Sequence, residues 1–251
     1  MYNFYNKQDK KKWKRVKLDL RNIYADIPET EGCLKYISLN ESEGGCGGRC
    51  CEFQQPSVFS SEFTYVYNYV NDKFSKDQII EILLKAIKTY ILGKPTNGCI
   101  FFNKSNKQCT IHSVRPFACR TYSQEPEEEF KPKYDRLKIL YQNNPDAIIM
   151  EQCNLTQPIG KKLTKEELDD LFQRLKFVEE DFGIEKEFIN DKEGGSYRTF
   201  VDHLLLYSYS EEFLLQLTYI REKGTQEQKE DFFNKLSEQI HVKEKEAETV
   251  D

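Results

Sequence analysis

The run EGGCGGRCC, residues 43 to 51, constrains this chain more than any other stretch. Three cysteines and four glycines share nine positions, and Cys50 and Cys51 are adjacent. Glycine at that density leaves the backbone too free for a helix or strand. The thiols here must therefore be held by something other than regular secondary structure. Eight cysteines occur in all, at Cys33, Cys46, Cys50, Cys51, Cys99, Cys109, Cys119 and Cys153, and the final 98 residues carry none. The chain thus divides into a thiol-rich part and a thiol-free part.

Three chemistries can account for such cysteines. Disulfides require an oxidising compartment. The opening MYNFYNKQDKKKWK lacks the apolar centre of a secretory signal, and adjacent cysteines bridge to each other only with strain. Buried inert thiols should follow helix or strand periodicity, whereas these sit beside Gly, Arg, Gln and Thr. Metal binding fits better. Thiolate is a soft anionic ligand suited to zinc and to iron–sulfur clusters, and the glycines allow the tight turns that gather thiolates around an ion. Side chains of neighbouring residues diverge in extended backbone. Cys50 and Cys51 then serve two different metals, or two metals of one compound site, and eight thiols divide naturally into two sets of four.

Arg49, Arg115 and Arg120 can offset the charge of a four-thiolate site or be ordinary surface arginines. His112 follows Cys109 in CTIH at ligand-like spacing. It is a candidate ligand, a candidate hydrogen-bond partner of a metal-bound sulfur, or an exposed histidine at a hairpin end. His203, in FVDHLLLYSY, reads as a core or surface histidine, and His241 as solvated.

Composition narrows the function classes. A net charge of −5 argues against general nucleic-acid binding. The run KQDKKKWKRVK, residues 7 to 17, is the exception and reads as a solvated basic end, with contact to phosphate or an anionic surface as the alternative. No apolar run approaches the roughly 20 residues of a membrane span, so a soluble, cytoplasmic protein is expected. The hydrophobic share of 38% is below the roughly 45–50% of typical domains. With 17 Phe and 15 Tyr a core can still form, but part of the chain needs stabilisation of another kind.

Helix punctuation is clear. Residues 75 to 92 carry a capping pair, Ser75 and Gln78, apolar residues at helical spacing, and a stop at Gly93 and Pro95. Thr164 with Glu167 opens a second helix that closes at Gly183. Ser210 caps a third that ends before Gly224, and Thr225 with Gln228 opens a fourth. KEKEAETVD reads as a frayed, solvated end. GCIFFNKSNKQCTIH is two apolar pieces around a polar turn, hence a β-hairpin. SVRPFACRTY predicts a turn entering a short helix with Pro116 in its first turn, and SQEPEEEFKPKYDR a proline-broken surface excursion. The expected fold is mainly α with a small β-hairpin, an irregular metal-stabilised cysteine-rich half and a helical C-terminal half. The expected segments are a basic extension over residues 1–30, a cysteine-cluster metal-binding domain over 31–158 and a helical region over 159–251.

CGGRCC, then GCIFF, then QCTIHSVRPFACRTY and a lone Cys153 together resemble the YkgJ-type cysteine-cluster family, a zinc- or iron-chelating domain named for a CxxCxxCC signature. The matching positions are Cys50–Cys51, Cys99 with Phe101, Cys109-Ile111-His112, Arg115-Pro116 and Cys119-Arg120, so the resemblance spans roughly residues 33 to 153. Upstream the chain departs from that signature. Gly44 and Gly47 stand near the expected cysteine places, and Cys46 and Cys33 lie elsewhere, which ranks them below the other six as ligands. The resemblance implies a metal-chelating domain with eight cysteines, and some relatives are labelled iron–sulfur oxidoreductases or associated with flagellin lysine N-methylation. A metal-dependent protein-modifying enzyme and an iron–sulfur redox protein therefore stand as alternatives to a metal-binding protein with zinc or iron. No methyl-donor motif is evident, because GGCGGRC has cysteine where a dinucleotide loop has its third glycine. The expected partner is another protein, as binder or substrate.

Overall fold

The computed structural model describes residues 10–28, 51, 55–93, 98–106, 108–122, 124, 127–140, 142, 162–191 and 195–248. In chain order its elements are α1 (Lys10–Ala25), β1 (Ser57–Val58), α2 (Ser60–Lys73), α3 (Lys76–Leu92), β2 (Phe102–Asn103), β3 (Gln108–Cys109), a 3-10 turn (His112–Val114), α4 (Phe117–Arg120), α5 (Glu127–Leu140), α6 (Lys165–Phe182), α7 (Lys186–Asn190), β4 (Arg198–Thr199), α8 (Phe200–Ser208), α9 (Glu211–Lys223) and α10 (Gln226–Glu248). The fold is mostly helical with very little strand, as expected.

The helix starts follow from side-chain caps. The Ser75 N–H donates to Gln78 Oε1 at 2.9 Å, and the Gln78 N–H returns to Ser75 Oγ at 3.3 Å. Thr164 and Glu167 form the same reciprocal pair, and so do Thr225 and Gln228. Each pair satisfies two amides that a helix leaves without an internal acceptor. Gly93 and Gly183 end their helices at φ +60° and +105°, the left-handed geometry that glycine takes without a Cβ penalty.

Two apolar cores result. The first gathers Phe63, Val66 and Val70 of α2, Ile82, Ala86, Ile87 and Ile91 of α3, the Cys99–Phe102 segment, and residues of α8 and α9. The second joins Val16, Leu20, Ile23 and Tyr24 of α1 to Leu171, Leu175, Val178 and Phe182 of α6, with Phe59 and Phe117. The basic run is therefore one face of an amphipathic helix whose other face is core, rather than only a solvated end. Arg15 reaches Asp181 at 3.2 Å and Arg174 reaches Asp26 at 2.8 Å, so α1 and α6 run antiparallel.

The β2–β3 hairpin is present, with Phe102 opposite Cys109 and Asn103 opposite Gln108. A second two-stranded ribbon, absent from the expectations, pairs Ser57 with Thr199 and Val58 with Arg198. His203 is a core residue. Its Nε2–H donates to the Val58 carbonyl at 2.9 Å, and burial lowers its pKa to about 4, which keeps it neutral.

Three expectations change. The acidic stretch is helical as α5, with Pro132 inside it. A proline there removes one helical donor, but Phe130 stacks on Tyr134 at 5.8 Å and Lys138 lies 4.4 Å over Tyr134, a side-chain ladder across the break. Pro116 precedes α4 in extended conformation instead of opening its first turn. Finally, α10 runs to Glu248 where a frayed end was expected.

Candidate metal centre

Cys33, Cys46, Cys50, Cys153 and Arg49 lie outside the described residues, as does the side chain of His241. The remaining four cysteines, Cys51, Cys99, Cys109 and Cys119, are not joined in disulfides. The backbone brings three of them to one corner of the first core. The Cys99 N–H donates to the Cys51 carbonyl at 2.6 Å, and the Cys99 carbonyl accepts from Phe102 at 2.9 Å. Phe102 in turn pairs with Cys109. The turn that sets this register is built by two asparagines. Asn103 Oδ1 accepts from the Ser105 N–H at 2.9 Å, and Asn106 Oδ1 from the Gln108 N–H at 3.1 Å, the Asx turns that this residue favours. Cys99 is buried in the core, with Cys51 and Cys109 packed against it.

Cys119 stands on α4, only four residues long. An isolated helix of that length is unstable, so its position comes from contacts outside itself. Arg120 Nε donates to the Arg115 carbonyl at 2.7 Å, and its terminal nitrogen to the Ser113 carbonyl at 3.0 Å. The same guanidinium lies 4.4 Å from the centre of the Tyr24 ring. Beneath it, the fully buried Glu62 accepts from the Phe117 N–H at 2.7 Å and from the Tyr24 hydroxyl at 2.7 Å on Oε1, and from the Phe59 N–H at 3.3 Å on Oε2. Burial pushes the Glu62 carboxyl up to about 7, against the pull of these three donors. A second buried carboxylate, Glu179 of α6, accepts from the Ser60 and Ser61 amides at 2.9 Å each. It fills the anion site that the start of α2 presents, and burial raises its pKa as well.

His112 is half-buried, and its Nε2 is buried with no hydrogen-bond partner among the described residues. Burial lowers its pKa to about 4, with Arg115 and then Arg120 adding to the effect. This excludes the exposed hairpin-end reading. A neutral imidazole with an unsatisfied buried nitrogen is the form that ligates a metal or hydrogen-bonds a metal-bound sulfur. Arg120 is committed to two carbonyls and the Tyr24 ring, so its first role is to shape the turn that carries Cys119. Glu62, Tyr24 and Glu179 were not singled out from the sequence. Of the three, Glu62 alone has a local signal, its place at the third position of α2.

An open cleft of about 510 Å³ lies between α3 and the hairpin, with Cys99 and Phe101 in its wall and Lys85, Lys88 and Lys104 around it. Among the described residues no three of His, Cys, Asp or Glu converge on a common point. The donor chemistry nevertheless suits a thiophilic ion, with three thiols and a neutral imidazole in one segment and a fourth thiol, Cys51, joined to it by the Cys99 backbone bond.

Comparison with known proteins agrees with that chemistry. Residues 42–154, just under half of the chain, match the family model of CxxCxxCC, described as a "Putative zinc- or iron-chelating domain". The resemblance read from the cysteine spacing holds over that segment. An uncharacterized protein of Methanocaldococcus jannaschii is 31% identical over 75 residues, 29% of this chain. The matched region spans 39% of that relative's length. No solved structure matches the chain.

Proposed function

We propose, from a segment that matches a zinc- or iron-chelating family, that this chain is a metal-binding protein holding zinc or iron through cysteine thiolates. The observation that carries the reading is the buried His112 Nε2, which has no partner among the described residues and is set in the same short block as Cys109 and Cys119. An unsatisfied buried nitrogen costs roughly 1–3 kcal/mol, and a bound ion or a metal-bound sulfur removes that cost. Cys51, Cys99, Cys109 and Cys119 are the proposed ligands among the described residues. Cys50 and Cys153 join them, with Cys33 and Cys46 ranked lower. Arg115 and Arg120 reduce the local negative charge. A bound zinc would act as a structural crosslink, whereas iron or an iron–sulfur cluster would add electron transfer.

One observation favours a second reading, a metal-dependent enzyme acting on a protein. The open cleft has Cys99 in its wall, which gives a substrate side chain a route toward that residue. No helix among the described residues is long and apolar enough to cross a membrane.

Anaerobic purification with metal and labile-sulfide analysis tests both readings. Zinc at about two ions per chain supports the structural role, and a brown protein with iron and sulfide supports the redox or catalytic one. Protein that retains neither metal under reducing conditions and takes up neither on addition overturns the proposal.

A further inference from the structure

We infer that Glu62 and Tyr24 are positioning residues for the cysteine centre: together they fix the short turn that carries Cys119, so that access to this thiol depends on the docking of α1. The first amide of α4 is one that no helix satisfies internally, and Pro116 before it has no side chain that can cap. Glu62 supplies the acceptor from 55 residues upstream. Tyr24 then binds both sides of the arrangement. Its hydroxyl donates to the same Glu62 oxygen, and its ring carries the Arg120 guanidinium. Arg120 closes the loop by holding the Ser113 and Arg115 carbonyls. One residue of a helix remote from every cysteine in the described sequence thus touches the supports of both ends of α4.

Glu179 is the built-in control. It is as fully buried as Glu62 and binds the start of the same helix α2, but its partners are Ser60 and Ser61 rather than the turn. Loss of Glu179 should loosen the frame without specifically releasing Cys119.

The test uses the full chain and the variants Glu62→Gln, Tyr24→Phe, Tyr24→Leu and Glu179→Gln. One arm measures alkylation of Cys119 relative to Cys99 by mass spectrometry in chelator-stripped protein. The other measures the rate of zinc release to a chromophoric chelator. Only the second arm rests on the metal-binding reading. Glu62→Gln keeps one acceptor oxygen and so cannot serve both Phe117 on Oε1 and Phe59 on Oε2; it should raise both rates by up to about tenfold, the lower end of what outer partners of a metal site contribute. Tyr24→Leu, which loses hydroxyl and ring, should exceed Tyr24→Phe, which keeps the Arg120 platform. Glu179→Gln should leave the Cys119 to Cys99 ratio unchanged even where it lowers stability. Equal Cys119 labelling in Glu62→Gln and Glu179→Gln, or a parallel rise at Cys99, overturns the inference. If Glu62→Gln does not fold, the two Tyr24 variants decide by the same ratio. A parent chain that takes up no metal defeats the metal-binding reading alone, because the labelling ratio still judges the positioning.

Discussion

The segment from Cys99 to Arg120 and the helical frame behind it are held together by different means. The frame consists of helices of 14 to 18 residues, α1, α2, α3 and α6, which bury continuous apolar stripes. The cysteine segment is made of pieces two to four residues long, β2, β3, the 3-10 turn and α4. Pieces that short do not stabilise themselves. They rest on the frame through the first core at Cys99 and Phe101, and through the Glu62–Tyr24–Arg120 contacts at α4. A protein with its chemistry in irregular backbone needs a frame that arrives at that backbone with a named acceptor, and here that acceptor is the buried Glu62 carboxylate.

The comparison breaks most visibly at the frame. Leu175 is fully buried in the second core, and Leu175→Ala should cost about 2–5 kcal/mol, read as a lower urea midpoint. If the cysteine segment leans on the frame, zinc release should accelerate in the same variant. Unchanged release would show that the segment holds itself.

A pH series comes next. The Glu62 carboxyl titrates at about 7 in the folded chain, against 4.5 ordinarily. Below about pH 4.5 both states carry the proton. Between 4.5 and 7 the unfolded chain ionises while the folded one does not, so folded stability contributed by this group falls as pH rises, and levels off above 7. The interval corresponds to on the order of 3 kcal/mol. Urea midpoints of the parent should therefore drop across this range relative to Glu62→Gln, and parallel pH profiles would contradict it. The titratable groups around the carboxyl, Tyr24, Glu179 and Tyr197, remain in both proteins.

Within the cysteine segment, Cys119→Ser should weaken metal retention by about tenfold, equivalent to roughly 1.4 kcal/mol, and Cys33→Ser by less. Equal losses would remove the ranking of the two thiols. The smallest effect belongs to the frame again. Ser75→Ala removes one half of the α3 capping pair and should cost about 1 kcal/mol, with the Cys119 to Cys99 labelling ratio unchanged.

Much of the frame could be read in the sequence because its signals are local. Ser75 with Gln78, Thr164 with Glu167 and Thr225 with Gln228 mark helix starts by chemistry that acts over three residues. The two asparagines of NKSNK mark the hairpin in the same way. Helix α2 has only half of such a signal, Glu62 at its third position behind Phe59, which has no capping hydroxyl. SSEFTYVYNYVNDK is rich in aromatic and β-branched residues that favour strands, and its first amides are satisfied by Glu179, 118 residues from Ser61. In α1 the stripe Val16, Leu20, Ile23, Tyr24 starts only at the end of the basic run and continues past it, so the run by itself reads as a solvated end. On the metal side, spacing identified the thiols and the family. The support of Cys119 by Glu62 is a contact across 55 residues, and no local pattern encodes it.

The ribbon that pairs Ser57–Val58 with Arg198–Thr199 also sets an order in time. Val58 waits for His203, and the start of α2 waits for Glu179. A ribosome adding about 5–20 residues per second needs about ten seconds to travel from Cys119 to those partners. Through that interval the newly made thiols and the helices before them wait for α6 and α8, which complete the two cores, so whichever metal ion or oxidant reaches the nascent chain first competes with folding itself.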